Sequence, residues 1–336
     1  MELWLGEQRA SAEHFTLGFV GHRALSAADA AALLRHPLVG LAQLEVEGGA
    51  APVRARSAAL EAEWTLDGAR SQLAVRCADP AAGVQSLEAL AAMLRPQTVT
   101  LADAGGAPCA PVPFMPVGLL FVRHLLDAQT PFQRIQVGEH PLFGRVLFLN
   151  GETQIASSDE RAYTEGFVAG ALRPGLRRAM VLGGGDCGVV RELLAQGVEK
   201  VLMIEIDEEV VRVCAEYFPD VVGETLSDPR ATIRYGDAFA YLRDRGQRID
   251  LIVYDLSDAP LTLGDYGPVL PLIKRALAPG GRVAMQCGSG MPEDRARLEV
   301  VLEGLRAEFG NCTTRDVDVP SFVQRPWVFA YADLLS

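Results

Sequence analysis

Ala179 to Leu182 is a short apolar run, three glycines follow it at Gly183, Gly185 and Gly188, and Val189 to Gln196 then takes up helical periodicity. A buried strand that breaks into a glycine turn and re-forms as a helix leaves little choice of fold. It is the opening of an α/β unit whose helix N-terminus offers free N–H groups to a ligand. Glycine lets the backbone turn tightly and come close to what it binds. Taken alone, the same letters also fit a tight turn that binds nothing.

The following segments narrow the choice. Lys200 to Ile206 reads as a second buried strand with Glu205 at its end, about twenty residues past the glycines, where an acid accepts hydrogen bonds from both ribose hydroxyls. Up to here a dinucleotide and an adenosyl ligand fit equally. Ala231 to Tyr235 gives a third strand running into Gly236-Asp237-Ala238, and an acid there accepts from the exocyclic amine of adenine. Asp250 to Tyr254 is a fourth strand, followed by Asp255-Leu256-Ser257-Asp258. Two carboxylates thus leave the carboxyl end of a buried strand, the end where ligands sit in open α/β sheets. Each acid singly also fits a helix cap or a solvated loop. Their recurrence at successive strand ends favours an adenosyl-sulfonium ligand over NAD. Asp255, directly after an apolar run, is expected to be partly buried and to need a partner.

Composition excludes several classes. A formal net charge of −12 disfavours nucleic acid and anionic membrane surfaces as partners and suits a cationic substrate as well as it suits any soluble acidic protein. Six scattered cysteines without a C-x-x-C pair read as reduced core residues of a cytoplasmic protein. All five histidines lie at or before His140, so the second half of the chain holds no Ser-His-Asp triad and no histidine metal site; no metal is expected. The first residues lack a basic start and an apolar run, and no stretch approaches a membrane span, so neither a signal peptide nor a membrane helix is expected.

Residues 1–104 mix strands (His14 to Val20, Ala42 to Val46, Ala58 to Leu66, Gln72 to Cys77, Thr98 to Leu101) with helices expected over Ser26 to Arg35 and Ala81 to Leu94, a small α+β domain. Residues 105–118 are Pro- and Gly-rich and read as a linker. Residues 119–158 alternate with period two, a small antiparallel β subdomain, and 159–336 hold a helix from Asp159 to Leu172 and then the alternating strands and helices of a doubly wound sheet. A helix between Gly264 and Leu277, a strand from Gly281 to Gln286, a helix from Asp294 to Phe309 and a closing antiparallel pair, Thr313 to Val319 and Trp327 to Ala332, complete it.

From about residue 119 to 332 the chain resembles the polyamine aminopropyltransferases, the spermidine synthase family. The matching pieces, in order, are Gln129-Thr130-Pro131-Phe132-Gln133, Phe143-Gly144-Arg145-Val146-Leu147, Asn150-Gly151-Glu152-Thr153-Gln154, Asp159-Glu160-Arg161-Ala162-Tyr163-Thr164-Glu165, the Gly-Gly-Gly-Asp turn at 183–186, Glu205-Ile206-Asp207, Asp228-Pro229-Arg230, Gly236-Asp237-Ala238 and Asp255-Leu256-Ser257-Asp258. The resemblance implies a Rossmann-like class I methyltransferase fold, with the small β subdomain lending residues to the catalytic domain. It implies transfer of the 3-aminopropyl group of decarboxylated S-adenosylmethionine to an amine, putrescine by default, with no permanently bound cofactor, and a homodimer. Carried over residue by residue, it makes Asp255 the proton acceptor and Tyr163 the holder of the attacking nitrogen. Gln133, Gly183, Gly185, Asp186, Glu205, Asp237 and Ala238 then bind the adenosyl donor, and Gln154, Tyr163, Thr164, Asp186, Asp255 and Asp258 bind the amine. Asp186 is given the choice of donor, attracting the ammonium of the decarboxylated form and repelling the carboxylate of the intact one. The N-terminal domain, with Cys77-Ala78-Asp79-Pro80 before an expected helix, resembles the bacterial adenosylmethionine decarboxylases. It lacks the Ser-His motif that generates their pyruvoyl group, so a structural or dimerising role is expected.

Departures from the family pattern cluster on the acceptor side. The turn reads Gly-Asp186-Cys187-Gly where a glycine is usual at 187, the usual His or Gln reads Thr164, Asp-Gly of the small sheet reads Asn150-Gly151, Asp-Pro reads Asp258-Ala259-Pro260, and the gate at 259–267, usually rich in Phe and Tyr, reads Leu261-Thr262-Leu263-Gly264-Asp265-Tyr266-Gly267 after it. The donor is therefore better specified than the acceptor. Three readings compete with aminopropyl transfer: methyl transfer from intact S-adenosylmethionine to a small amine, a non-enzymatic nucleoside-binding homologue, and an NAD-dependent dehydrogenase.

Overall fold

The computed structural model describes residues 2–5, 8–11, 14–20, 26–28, 30, 45–47, 52–56, 60–67, 70–78, 90, 98–103, 112–113, 123–140, 143–244, 248–256, 269–292, 294–322 and 326–335. Most of the expected helices at 26–35 and 81–94, most of the linker, Asp258 and the gate at 259–267 lie outside the described residues; residues 27, 28, 30 and 90 are helical. The chain divides into two compact units: residues 1–129 with 133–156, and residues 130–132 with 157–336.

The first unit is built from antiparallel strands: β1 (Glu2–Leu5), β2 (Gln8–Ser11), β3 (His14–Val20), β4 (Glu45–Glu47), β5 (Val53–Arg56), β6 (Leu60–Asp67), β7 (Arg70–Cys77), β8 (Thr98–Asp103), β9 (Val112–Pro113), β10 (Arg123–Gln129), β11 (Arg134–His140), β12 (Gly144–Leu149) and β13 (Glu152–Ala156). β1 and β2 pair alone, β4-β5-β6-β7-β3-β8-β9 form one sheet, and β10 to β13 form a four-stranded meander. Val112 and Pro113, inside the stretch read as a linker, pair with Val99 and Thr98 as the last edge strand. The β12–β13 turn explains one departure. Asn150 and Gly151 both have positive φ, at 51° and 83°, the requirement of a type I′ hairpin, and asparagine tolerates that region better than most residues. Asn150 is held there because its Oδ1 accepts from the Arg134 N–H at 3.0 Å.

The second unit is a seven-stranded sheet with helices α1 (Glu160–Ala171), α2 (Gly188–Ala195), α3 (Glu208–Tyr217), α4 (Pro219–Val222), α5 (Ala238–Asp244), α6 (Val269–Ala276) and α7 (Arg295–Phe309). Its strands are β14 (Arg178–Gly183), β15 (Lys200–Glu205), β16 (Ala231–Tyr235), β17 (Ile249–Asp255), β18 (Leu277–Ser289), β19 (Thr313–Val317) and β20 (Trp327–Asp333), in the order β16-β15-β14-β17-β18-β20-β19. The pairs from β16 to β18 are parallel, and β20 runs antiparallel to both β18 and β19. This is the Rossmann-like sheet with an antiparallel close that the sequence led us to expect. The first strand stands between the second and the fourth, so the direction of winding reverses at the carboxyl ends of β14 and β17.

Side chains alternate across this sheet with period two. Met180, Leu182, Ile252, Tyr254, Val283, Met285, Val328, Ala330 and Ala332 share one buried cluster with Leu242, Ile273, Leu305 and Phe309 of helices α5 to α7. The intervening positions face the other way. There Tyr331 donates its hydroxyl to the carbonyl of Phe167 at 3.0 Å, and a side chain at Gly170 would run into the Tyr331 ring. Helix α1 therefore lies directly on β20, and that close seat aims Tyr163 at the sheet's carboxyl edge. Asp159, just before α1, does not cap it; its carboxylate accepts from Ser321 N at 2.6 Å and Ser321 Oγ at 2.9 Å.

Candidate active site

The glycine turn leaves β14 with positive φ at Gly183 (80°) and Gly184 (75°), where an L side chain is strained. It is fastened to β17, for Gly184 donates its N–H to the Asp255 carbonyl at 3.1 Å. A Cβ on Gly183 would press on that same carbonyl. Three carboxylates ring the turn. Asp255 Oδ2 stands 3.3 Å from where a Cβ on Gly184 would be, Glu205 Oε2 stands 3.0 Å from the same point on Gly185, and Asp186 Oδ1 stands 2.9 Å from it on Gly188. Acids from three strand ends, remote in sequence, thus meet around six residues of backbone.

Each acid is held differently. Asp255 Oδ1 accepts a 2.7 Å hydrogen bond from the Tyr163 hydroxyl, and the Tyr163 ring is fixed by edge contacts with Phe167 and Phe329 and a tilted one with Phe322. Glu205 is buried, and its Oε1 accepts from Asp207 N at 2.9 Å. Burial pushes its carboxyl above the ordinary range, against the pull of the backbone N–H groups of Asp207 and Ile206. Asp186 Oδ1 accepts from Gly188 N at 2.6 Å at the start of α2, and burial again outweighs that bond and raises the carboxyl. Asp207 caps α3 by accepting from Glu209 N, and its other oxygen accepts from Thr130 Oγ1 at 2.8 Å.

Cys187 sits where the family carries glycine, and its φ of 67° is the left-handed conformation that a glycine would adopt without strain. Its side chain is fully buried, and burial beside Asp186 and Glu205 pushes the thiol up to about 12. Asp237 Oδ1 accepts from Phe239 N at 2.8 Å at the start of α5, and Ala238 next to it is buried.

Thr164 is buried, and its hydroxyl donates back to Glu160, to the backbone oxygen at 3.1 Å and to Oε2 at 3.2 Å. Gln133 and Gln154 belong to the first unit, where Gln154 donates to the Glu152 carbonyl at 3.2 Å. Asp258 lies outside the described residues. Two contributors escaped the sequence reading. Gln286, buried on β18, donates to the Leu256 carbonyl at 2.7 Å and so holds the chain just after Asp255. Arg191 on α2 pairs with Glu160 of α1, 31 residues away. Neither belongs to a motif; both act through distant backbone and side chains. Among the described residues no cluster of His, Cys, Asp and Glu could hold a metal ion, and no helix is long and apolar enough to cross a membrane.

Comparison with known proteins gives the family. The chain is 33% identical over 236 residues to polyamine aminopropyltransferase 1 of Hyperthermus butylicus, covering 64% of this chain and 78% of that protein. It is 31% identical over 220 residues to the polyamine aminopropyltransferase of Lachnoclostridium phytofermentans, covering 62% and 75%. Among solved structures it is similar in fold to a spermidine synthase in complex with the transition-state analogue AdoDATO (TM-score 0.59, 24% identity, 63% of this chain and 73% of that one). The spermidine synthase from Thermotoga maritima gives a TM-score of 0.58 at 23% identity, over 64% and 73%. The model of the spermine/spermidine synthase domain matches residues 160–334, and the chain is a transferase belonging to that family of aminopropyl-transferring enzymes.

Proposed function

We propose that the chain moves the 3-aminopropyl group from decarboxylated S-adenosylmethionine to a small primary amine, with putrescine as first choice, giving spermidine and 5′-methylthioadenosine. The observation that carries this reading is the ring of Asp255, Glu205 and Asp186 around one glycine turn. Such a concentration of negative charge suits a ligand that carries both a sulfonium and an ammonium. The chemistry follows from it. The acceptor nitrogen attacks the methylene carbon next to sulfur, the C–S bond breaks, and its electron pair neutralises the sulfonium. An alkylamine with a pKa of ~10.4 must first lose a proton, at a cost of about 4.6 kcal/mol at pH 7. Asp255 takes that proton, and Tyr163, bonded to its Oδ1 at 2.7 Å, orients the carboxylate toward the incoming nitrogen. Glu205 holds the ribose, Asp237 and Ala238 the adenine, and Asp186 the donor's ammonium. Gln133, Gln154 and Asp258 keep the roles the family resemblance gives them. Thr164 we leave out of the amine contacts, because its hydroxyl is committed to Glu160. A homodimer held by the N-terminal residues is part of the proposal; sedimentation of the whole chain tests it.

The deciding experiment is calorimetric titration with decarboxylated and intact S-adenosylmethionine, followed by putrescine and an assay for methylthioadenosine. Preference for the decarboxylated donor with product formed is the expected result. Preference for the intact donor would move the protein to methyl transfer and remove the role given to Asp186.

A further inference from the structure

Behind Asp186 lies a largely buried ion pair that no step of the reaction uses. Glu160 at the start of α1 is 6% exposed, and its two oxygens accept from Arg191 Nη1 and Nη2, each at 3.1 Å. The guanidinium also donates to the carbonyls of Val221 at 2.8 Å and Asp220 at 3.2 Å, so it is held from both sides. Thr164 Oγ1 joins the group, 3.4 Å from Arg191 Nη2. A single point ties this cluster to Asp186. The space beside Gly188 where a Cβ would stand is 2.8 Å from Thr164 Cγ2 and 2.9 Å from Asp186 Oδ1. Thr164, hydrogen-bonded to both members of the pair, therefore faces Asp186 across one glycine.

We propose that Glu160 sets donor selectivity by neutralising Arg191, whose charge would otherwise act unopposed on Asp186 and weaken its hold on the donor's ammonium. The proposal rests on the reading above in which Asp186 faces that ammonium. Two charges of opposite sign act on Asp186 here, Glu160 pushing its carboxyl up and Arg191 pulling it down. Remove Glu160's charge and only the cation remains, in surroundings where charge is poorly screened. Asp186 would then face an uncompensated cation. It would attract an ammonium less and repel a carboxylate less. Glu160 and Arg191 are positioning residues, since neither touches the reacting atoms.

A purely structural pair would behave differently: unpairing a buried charge destabilises the fold and weakens every ligand alike. The test is therefore a ratio. Decarboxylated donor, intact donor and methylthioadenosine are titrated into wild type, Glu160→Gln, and the neutral double variant Glu160→Gln/Arg191→Gln. We expect Glu160→Gln to cut the preference for the decarboxylated donor at least tenfold while methylthioadenosine affinity moves less than threefold. The double variant should restore the preference to within threefold of wild type. Equal weakening of all three ligands, or a double variant that stays unselective, overturns the proposal. If Glu160→Gln alone does not fold, Glu160→Gln/Arg191→Lys, which keeps a cation, is compared with the neutral pair and carries the same expectation. A wild-type protein without preference overturns the parent reading as well; a selective wild type with a selective Glu160→Gln overturns this one alone.

Discussion

The Tyr163 hydroxyl donates to Asp255 Oδ1 at 2.7 Å across 92 residues of sequence. One partner rides on a helix seated against the last strand; the other ends the central strand of the sheet. Removing the hydroxyl alone tests the bond, because the ring contacts with Phe167, Phe322 and Phe329 remain. A hydrogen bond to a charged group is worth about 1.5–3 kcal/mol. Tyr163→Phe should therefore lower kcat by roughly 10- to 100-fold with little change in melting temperature, measured by methylthioadenosine release and thermal unfolding. An unaltered kcat would detach Tyr163 from the chemistry.

Asp255→Asn keeps the shape of the strand end and the acceptor for Tyr163 but takes away the base. Turnover should fall by about 10²- to 10⁴-fold, while the dissociation constant of methylthioadenosine stays within a few-fold of wild type. Retained turnover at full rate would mean that another group receives the proton.

Glu205 is buried at an electrostatic cost. Burial raises its carboxyl in the fold, so between its ordinary value of 4.5 and its folded value the native state holds a proton that the unfolded state has released. Stability contributed by this group is thus present at low pH and lost as pH rises through the folded value. Glu205→Gln keeps an acceptor for Asp207 N and removes the buried charge. It should raise the melting temperature of the ligand-free protein at pH 8 by a few degrees, about 2–4 °C per kcal/mol, with a smaller gain at pH 5. It should also weaken adenosyl binding. Calorimetric melts at both pH values check the first part; a lower melting temperature at pH 8 contradicts it.

Asp333 behaves oppositely. It accepts from Arg282 Nε at 2.8 Å and Nη2 at 2.9 Å and pairs with Arg173 at 2.8 Å, and the Arg282 hydrogen bonds hold its carboxyl below the ordinary 3.8. Its contribution is present above the ordinary value and lost as pH falls through the folded one. Asp333→Asn should cost about 1 kcal/mol at pH 7 without altering kcat, and the difference from wild type should shrink toward pH 3, read by urea unfolding.

Cys187 should resist chemistry despite its place in the turn. A thiol pushed up to about 12 is scarcely ionised at pH 8, and the side chain is buried. Iodoacetamide at that pH should label Cys312, which is partly exposed, well before Cys77, Cys187, Cys214 or Cys287. Early mass-spectrometric labelling of Cys187 would show that the turn opens.

The sheet was legible because its signals are local. Ala231 to Tyr235 occurs as read, β14 and β17 extend one residue beyond their expected ends on both sides, and β15 starts as read and stops one residue earlier. A buried parallel strand announces itself as an apolar run, and the acid that stops the run marks the ligand edge. Period two in β10 to β13 was equally plain. What stayed hidden depends on tertiary contact. Thr164 looked like a substrate contact by its position in a motif, yet helical geometry turns its hydroxyl back to Glu160, four residues before. Gln286 and Arg191 occupy unremarkable positions, and only the folded chain brings them to Leu256 and Glu160.

The fastening of Gly184 to the Asp255 carbonyl has an evolutionary consequence. Donor recognition and proton removal are usually separable traits, each free to be tuned by its own mutations. On the roles proposed above, the peptide of the base would also be the anchor of the donor loop, so a substitution at Gly183, whose Cβ would press on the Asp255 carbonyl, would shift both at once. Descendants of such a chain could then change acceptor by altering the periphery, while the donor and the base would be inherited together or lost together.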